Sequence, residues 1–303
     1  MKLFYQSWAL CLLLLSSLYT CAQTNTTTDD KAGLKISIGY INNSVYLGRT
    51  DTVRTPTFTP ALSYTFSNGI YLLGALDYIT NRKSGKVDGG NIEIGYKFTD
   101  IDNFEAGASF TKLFYNSGST QVSSSVSSII NAYAAYSITN IITPGIDFNY
   151  NINKTGISGD FLINPSILHE FEITGILGND DRLLISPQAG LNAGSQNFYG
   201  GYLERTGKLT KKGVLVGSAI ITAANTAYNK SLSDFKILDY ELTMPLQYKT
   251  GIFIATVTPT YAFAQNSLPQ STEAEKIITK NVELTSPYKP SVFYFEVALA
   301  LKF

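Results

Sequence analysis

The carboxy-terminal stretch of this chain alternates without a break. Phe293, Phe295, Val297, Leu299, Leu301 and Phe303 are apolar, and Tyr294, Glu296, Ala298, Ala300 and Lys302 lie between them. A period of two puts successive side chains on opposite faces of a strand. A helix would scatter the same residues around its circumference. The pattern recurs upstream. Leu34, Ile36, Ile38 and Tyr40 alternate with Lys35, Ser37 and Gly39, and Ile92, Ile94, Tyr96 and Phe98 with Asn91, Glu93, Gly95 and Lys97. The chain is therefore predicted to be all-β.

Twelve such segments are present, at roughly 33–41, 57–66, 70–80, 89–99, 104–115, 126–138, 141–152, 160–177, 183–194, 235–248, 252–264 and 291–303. Many are near ten residues, the length of a tilted strand that crosses a bilayer. Connections after the even-numbered segments are short, such as Ser67-Asn68-Gly69, Thr139-Asn140 and Lys249-Thr250-Gly251. Most of the others are longer, and the longest cover about 195–234 and 265–290. Short turns on one side and long loops on the other are the arrangement of a closed transmembrane barrel. A soluble sandwich has no reason to sort loop lengths this way. The expected fold is a single antiparallel up-and-down β-barrel of twelve strands. It has fourteen if Val214 to Ala224 adds a pair.

Composition removes other classes. The chain has 303 residues with 23 Lys+Arg against 23 Asp+Glu, one His and two Cys. A nucleic-acid binder needs a basic surplus, so no nucleic-acid partner is expected. Disorder needs few aromatics and high net charge, whereas 20 Tyr and 17 Phe stand here. No Cys/His or other metal-ligand cluster and no P-loop glycine pattern occurs, so neither a metal nor a cofactor is expected. Lys2, the apolar run from Trp8 to Leu15 and the small residues that follow form a signal-peptide pattern. Cleavage is expected after Ala22, with a short polar tail at 23–32 and the barrel at 33–303. The rival reading is acylation of Cys21, although Tyr19 and Thr20 fit a lipobox poorly. Cleavage after Ala22 leaves the mature chain without cysteine, so no disulfide forms.

The two phases of the strands differ in chemistry. The apolar phase must meet lipid, because unsatisfied polar groups there are costly. Tyr40, Tyr64, Tyr78, Tyr96, Tyr136, Tyr150 and Tyr248 fall on it near strand ends, where aromatic girdles lie. The opposite phase carries Asp77, Glu93, Glu105, Asp147, Glu170, Glu172, Asp239, Glu241 and Glu296, against Lys35, Lys97 and Lys302. These twelve residues are expected to face the lumen, which would leave it acidic. An acidic water-filled pore concentrates cations. In a plugged barrel the same acids would be consumed by hydrogen bonds and by pairing with Lys. Arg205, Lys208, Lys211 and Lys212 of the long loop either fold inward over that wall or face lipopolysaccharide phosphates. Glu273 to Leu284 has the pattern of a short amphipathic helix.

Enzymatic barrels need a nucleophile beside a base. His169 is the only histidine, and Phe171, not Ser, lies two residues on. It falls on the apolar phase near mid-strand, and a bulge near Pro165 would re-aim it toward Glu170 or Glu172. It is read as structural, and no catalytic residue is assigned.

The chain resembles Gram-negative outer-membrane β-barrel proteins. Phe295, Val297, Leu299, Leu301 and Phe303 are similar to the carboxy-terminal assembly signal of that class. The Ala22-Gln23 junction and the Tyr/Asn-rich strands resemble those of Bacteroidetes outer-membrane proteins. The resemblance implies export, insertion by a barrel-assembly machinery, and contact with outer-membrane lipids and lipopolysaccharide. Three functions are kept: a narrow channel for small polar or cationic solutes; a non-conducting scaffold, adhesin or complex subunit; and a lipid hydrolase with His169 as base.

Overall fold

A computed structural model describes residues 32–50, 54–82, 85–139, 141–154, 159–178, 180–199, 232–265 and 291–303. The expected signal peptide, most of the polar tail, the basic cluster Arg205 to Lys212, the Val214 to Ala224 stretch and the Glu273 to Leu284 helix lie outside them.

The strands are β1 Gly33–Ile41, β2 Val45–Tyr46, β3 Arg49–Thr50, β4 Thr57–Thr65, β5 Ile70–Ile79, β6 Val87–Ile101, β7 Phe104–Tyr115, β8 Val126–Tyr136, β9 Thr143–Asn153, β10 Asp160–Leu168, β11 Phe171–Thr174, β12 Asp181–Ile185, β13 Gln188–Gly194, β14 Lys236–Thr243, β15 Leu246–Thr250, β16 Phe253–Ala264 and β17 Val292–Lys302. All but β2 and β3 belong to one 15-stranded antiparallel sheet. Six of its strands pair end to end as three interrupted staves, β10/β11, β12/β13 and β14/β15, so the wall has twelve staves. It closes where β1 meets β17, with Lys35 opposite Lys302 and Ile41 opposite Glu296. Reciprocal bonds between Leu34 and Phe303 (3.0 and 2.8 Å) complete the seam. The ring of long strands closes on itself, the condition for a spanning β-structure, and the short β11 is laddered on one flank only, to β12. Direct pairing of β13 with β14 leaves no room in the wall for the fourteen-strand alternative.

The distribution of side chains is the inverse of a soluble protein's. Leu62, Ile92, Ile94 and Ile130 are each about half exposed or more on the outside. Thr59, Asp77, Asn91, Asp147 and Asp239 are buried on the inside. Aromatics gather toward strand ends. Tyr40 lies 4.9 Å from Phe58, Tyr64 4.8 Å from Phe66, and Tyr261 4.6 Å from Phe263, ring centre to ring centre. Tilted and edge-on rings of this kind add to burial.

The three interruptions fall on neighbouring staves, after Leu168, Ile185 and Thr243. Pro187 and Pro245 sit at two of them, and proline donates no ladder bond. Single bonds bridge the crease: His169 N to Pro187 O (3.1 Å), Ser186 N to Pro245 O (2.9 Å) and Met244 N to Pro259 O (3.1 Å). The break therefore lies at His169-Glu170, not at Pro165, which pairs with Ile146 inside β10.

On the side of the short turns, Asp181 organises the β11–β12 connection. Its carboxylate accepts the backbone N–H groups of Ile176, Leu177 and Gly178 and the hydroxyl of Tyr248, all within 2.9 Å. On the other side the β1–β4 loop turns inward. Its β2–β3 hairpin has the two-residue tip Leu47-Gly48, with both φ values positive (50° and 71°), as a type I′ turn requires.

Candidate functional site

The lumen is layered. Its upper layer is filled by loops. Tyr46 of the hairpin packs with Leu113, Val122, Val126, Phe198 and Tyr199, its ring 4.8 Å from that of Phe198. The Tyr46 hydroxyl accepts from Asn151 Nδ2 on β9 (2.6 Å). Arg49 donates to Gln196 Oε1 (2.7 Å) and lies 5.6 Å above the Tyr199 ring. A short 3₁₀ turn, Val122–Ser125, is wholly buried beside them. Gly48 rests on the wall so closely that an added Cβ would lie 2.9 Å from the Asp239 Cβ. Glycine is needed there for both space and φ.

The middle layer is a belt of amides and acids. Asn131 donates to Asn149 (2.9 Å), Asn149 to Asn164 (2.8 Å), Asn164 to Asn192 (2.5 Å), and Asn192 to Asp239 Oδ1 (2.6 Å). Five neighbouring staves are thus joined by bonds that all run in one direction and end on a carboxylate. Charge at the end of such a chain strengthens each member. Under the hairpin lies a cavity of about 190 Å³. Asp147, Glu241 and Glu296 line it, with amides of the belt and the hydroxyls of Thr258, Thr260 and Tyr294. Tyr294 donates to Glu241 Oε1 (3.3 Å). Val45, Tyr46 and Leu47 form its roof.

Other acids are held locally. Asp77 accepts from Thr59 (2.8 Å). Glu93 accepts from Tyr71 (2.6 Å) and Thr111 (2.8 Å). Glu105 accepts from Tyr133 (3.0 Å). The rings of Tyr71 and Tyr133 pack against Gly95 and Gly107, where an added Cβ would come within 2.5 Å of them. Glu172 faces Arg182 (3.7 Å), and Glu170 sits half-buried at the crease.

The lower layer is basic. Lys97, Lys249 and Lys302 all lie close enough to Lys35 to repel it. Lys249 and Arg182, opposite each other across β12 and β15, were missing from the sequence-derived lumen set, as was Arg49. Lys249 reads as a turn residue, and Arg49 lies in a loop. The buried acids Asp88 and Asp160 were missing as well, so the interior carries more charge of both signs than the sequence suggests, and three of its carboxylates meet around the mid-lumen cavity. Asn131 and Asn164 were also missed. The signal that marks them is asparagine recurring on the polar phase of β8 to β10, at positions 131, 149, 151, 153 and 164.

His169 lies apart from all of this. Its ring packs edge-on to Phe171 (4.3 Å), and Nδ1 is 2.5 Å from the carbonyl oxygen of Ile141. The ring therefore stays on the outer side, beside the turn that joins β8 to β9, and does not turn inward to Glu170 or Glu172.

A closed antiparallel wall, an apolar exterior banded with aromatics and a polar interior define the class: an outer-membrane-type transmembrane β-barrel. No protein-family model and no curated protein sequence matches the chain. Among solved structures it is similar to the KdgM porin, at 9% identity over 89% of this chain and 99% of that one, with a TM-score of 0.46. It is similar to the NanC porin at 11% identity, over 89% and 100% of the two chains, with a TM-score of 0.45. LpxR from Salmonella typhimurium matches at 7% identity over 89% and 100%, with a TM-score of 0.44.

Proposed function

We propose that the protein is a narrow outer-membrane channel for small polar or cationic solutes, with an extracellular mouth restricted by its own β2–β3 hairpin. The observation that carries this is the mid-lumen cavity. Three carboxylates line it, and no Lys, Arg or His does so among the described residues. A water-filled site of that sign raises the local cation concentration. The lysines at the lower rim set a second, opposite field, so small neutral polar solutes also suit the path.

The test is reconstitution of the full chain in planar bilayers. Cation-selective conductance is expected, with an increase when residues 44–53 are replaced by a two-glycine link. Anion selectivity, or silence of both proteins, would overturn the reading. The packed upper layer favours a second reading, a non-conducting scaffold that works through its loops. Crosslinking in outer membranes distinguishes the two, since a scaffold brings a stoichiometric partner and a channel does not. Contacts with outer-membrane lipid, lipopolysaccharide and the barrel-assembly machinery belong to the same proposal. Hydrolysis is not proposed, because no hydroxyl nucleophile is found against His169 among the described residues.

A further inference from the structure

We propose that the mid-lumen cavity is a binding site for a small organic diammonium cation. Its ends would be held by Asp147 on one side of the lumen and by Glu241 and Glu296 on the other. The inference rests on the reading of the lumen as an acidic solute path.

Four observations carry it. First, the carboxylates are spread around the wall. Asp147 is on β9, Glu241 on β14 and Glu296 on β17, and the staves of Asp147 and Glu296 lie nearly opposite each other in the strand order. Second, among the described residues no three His, Cys, Asp or Glu side chains come together to hold a bare metal ion. Separated acceptors of this kind suit a ligand with separated donors. Third, Asn151 is 1% exposed and lines the cavity, yet its Oδ1 has no hydrogen-bond partner. Its amide nitrogen donates to Tyr46. A buried acceptor without a donor is costly, and an ammonium group supplies up to three donors. Fourth, Leu47, Ile129, Leu162 and Leu191 also line the cavity and offer apolar wall between the carboxylates. A methylene chain between two charged ends matches that order. The volume fits as well: a cavity of ~150 Å³ holds benzene, and this one is about 190 Å³.

The experiment is calorimetric titration of the folded full chain in detergent at low salt. The probes are 1,4-diaminobutane and its neutral counterpart 1,4-butanediol. Wild type is expected to bind the diamine and not the diol. Asp147→Asn and Glu296→Gln are each expected to weaken binding about tenfold or more, the loss of one charge-assisted contact. Glu105→Gln, away from the cavity, should leave it unchanged. Heat-modifiable gel mobility verifies that each variant is folded. No binding by wild type, equal binding of the diol, or unchanged affinity in both cavity variants would overturn the proposal. Conductance of the same preparations separates the two readings. A barrel that conducts but does not bind the diamine loses only the site. One that binds but does not conduct keeps the site and loses the channel.

Discussion

Asn164 shows what one polar residue does in this wall. It accepts from Asn149 and donates to Asn192, so its loss opens the belt at two points at once. Asn164→Leu leaves Asn149 without an acceptor and Asn192 without a donor, in a place where burial makes unmet groups expensive. A loss of about 1–3 kcal/mol is expected for each unmet group, measured by urea unfolding in lipid vesicles. Wild-type stability in that variant would show the belt to be ornamental. Gly48 makes the matching case for space. Gly48→Val pushes a branched side chain into Asp239 at a positive φ that β-branched residues avoid. It should release the hairpin and raise single-channel conductance without unfolding the barrel. These partners were not readable from the sequence. Alternation places Asn149 and Asn192 on the polar phase, but register decides that Asn164 stands between them.

At the scale of elements, strand positions were legible because a lipid-facing wall demands apolar side chains at every second residue. The inner ends of the loops were not legible. Leu47-Gly48 carries no alternation, and its inward course is set by Tyr46 and Phe198 finding each other across the lumen. The β11–β12 connection is a test of local order. Asp181→Ala removes four hydrogen bonds to one carboxylate. It should lower the stability of the barrel, with Asp181→Asn intermediate. The measurement is again urea unfolding in vesicles, and an unaffected midpoint would show that the turn holds itself. His169 needs no such partner. His169→Ala should leave lipid-ester hydrolysis by the purified protein at the same baseline, and a drop would reinstate the enzymatic reading.

For the whole molecule, the surface facing outward must stay apolar to remain in lipid. Ile94 lies mid-way along β6 and is half exposed. Ile94→Arg should destabilise the barrel by about 2–4 kcal/mol in a bilayer, the cost of a cation near the midplane, and far less in water-exposed micelle edges. The balance of 23 basic and 23 acidic residues concealed a vertical order: Lys35, Lys97, Lys249 and Lys302 gather toward the short turns, together with Glu105 and Glu172, and Asp147, Glu241 and Glu296 meet around the cavity above. Composition sums over height, so only the folded register reveals that order. The crease across three neighbouring staves has a further outcome. Below it β11, β12 and β15 are short, four or five residues each; β15 is laddered to the long strand β16, whereas β11 is laddered to β12 alone. With one flank of β11 outside the ladder, this panel is expected to open before the rest, because local opening follows the density of the ladder. Its amides should exchange with deuterium before those of β10, β13 and β14, and a uniform exchange front across the crease would show the wall to move as one piece.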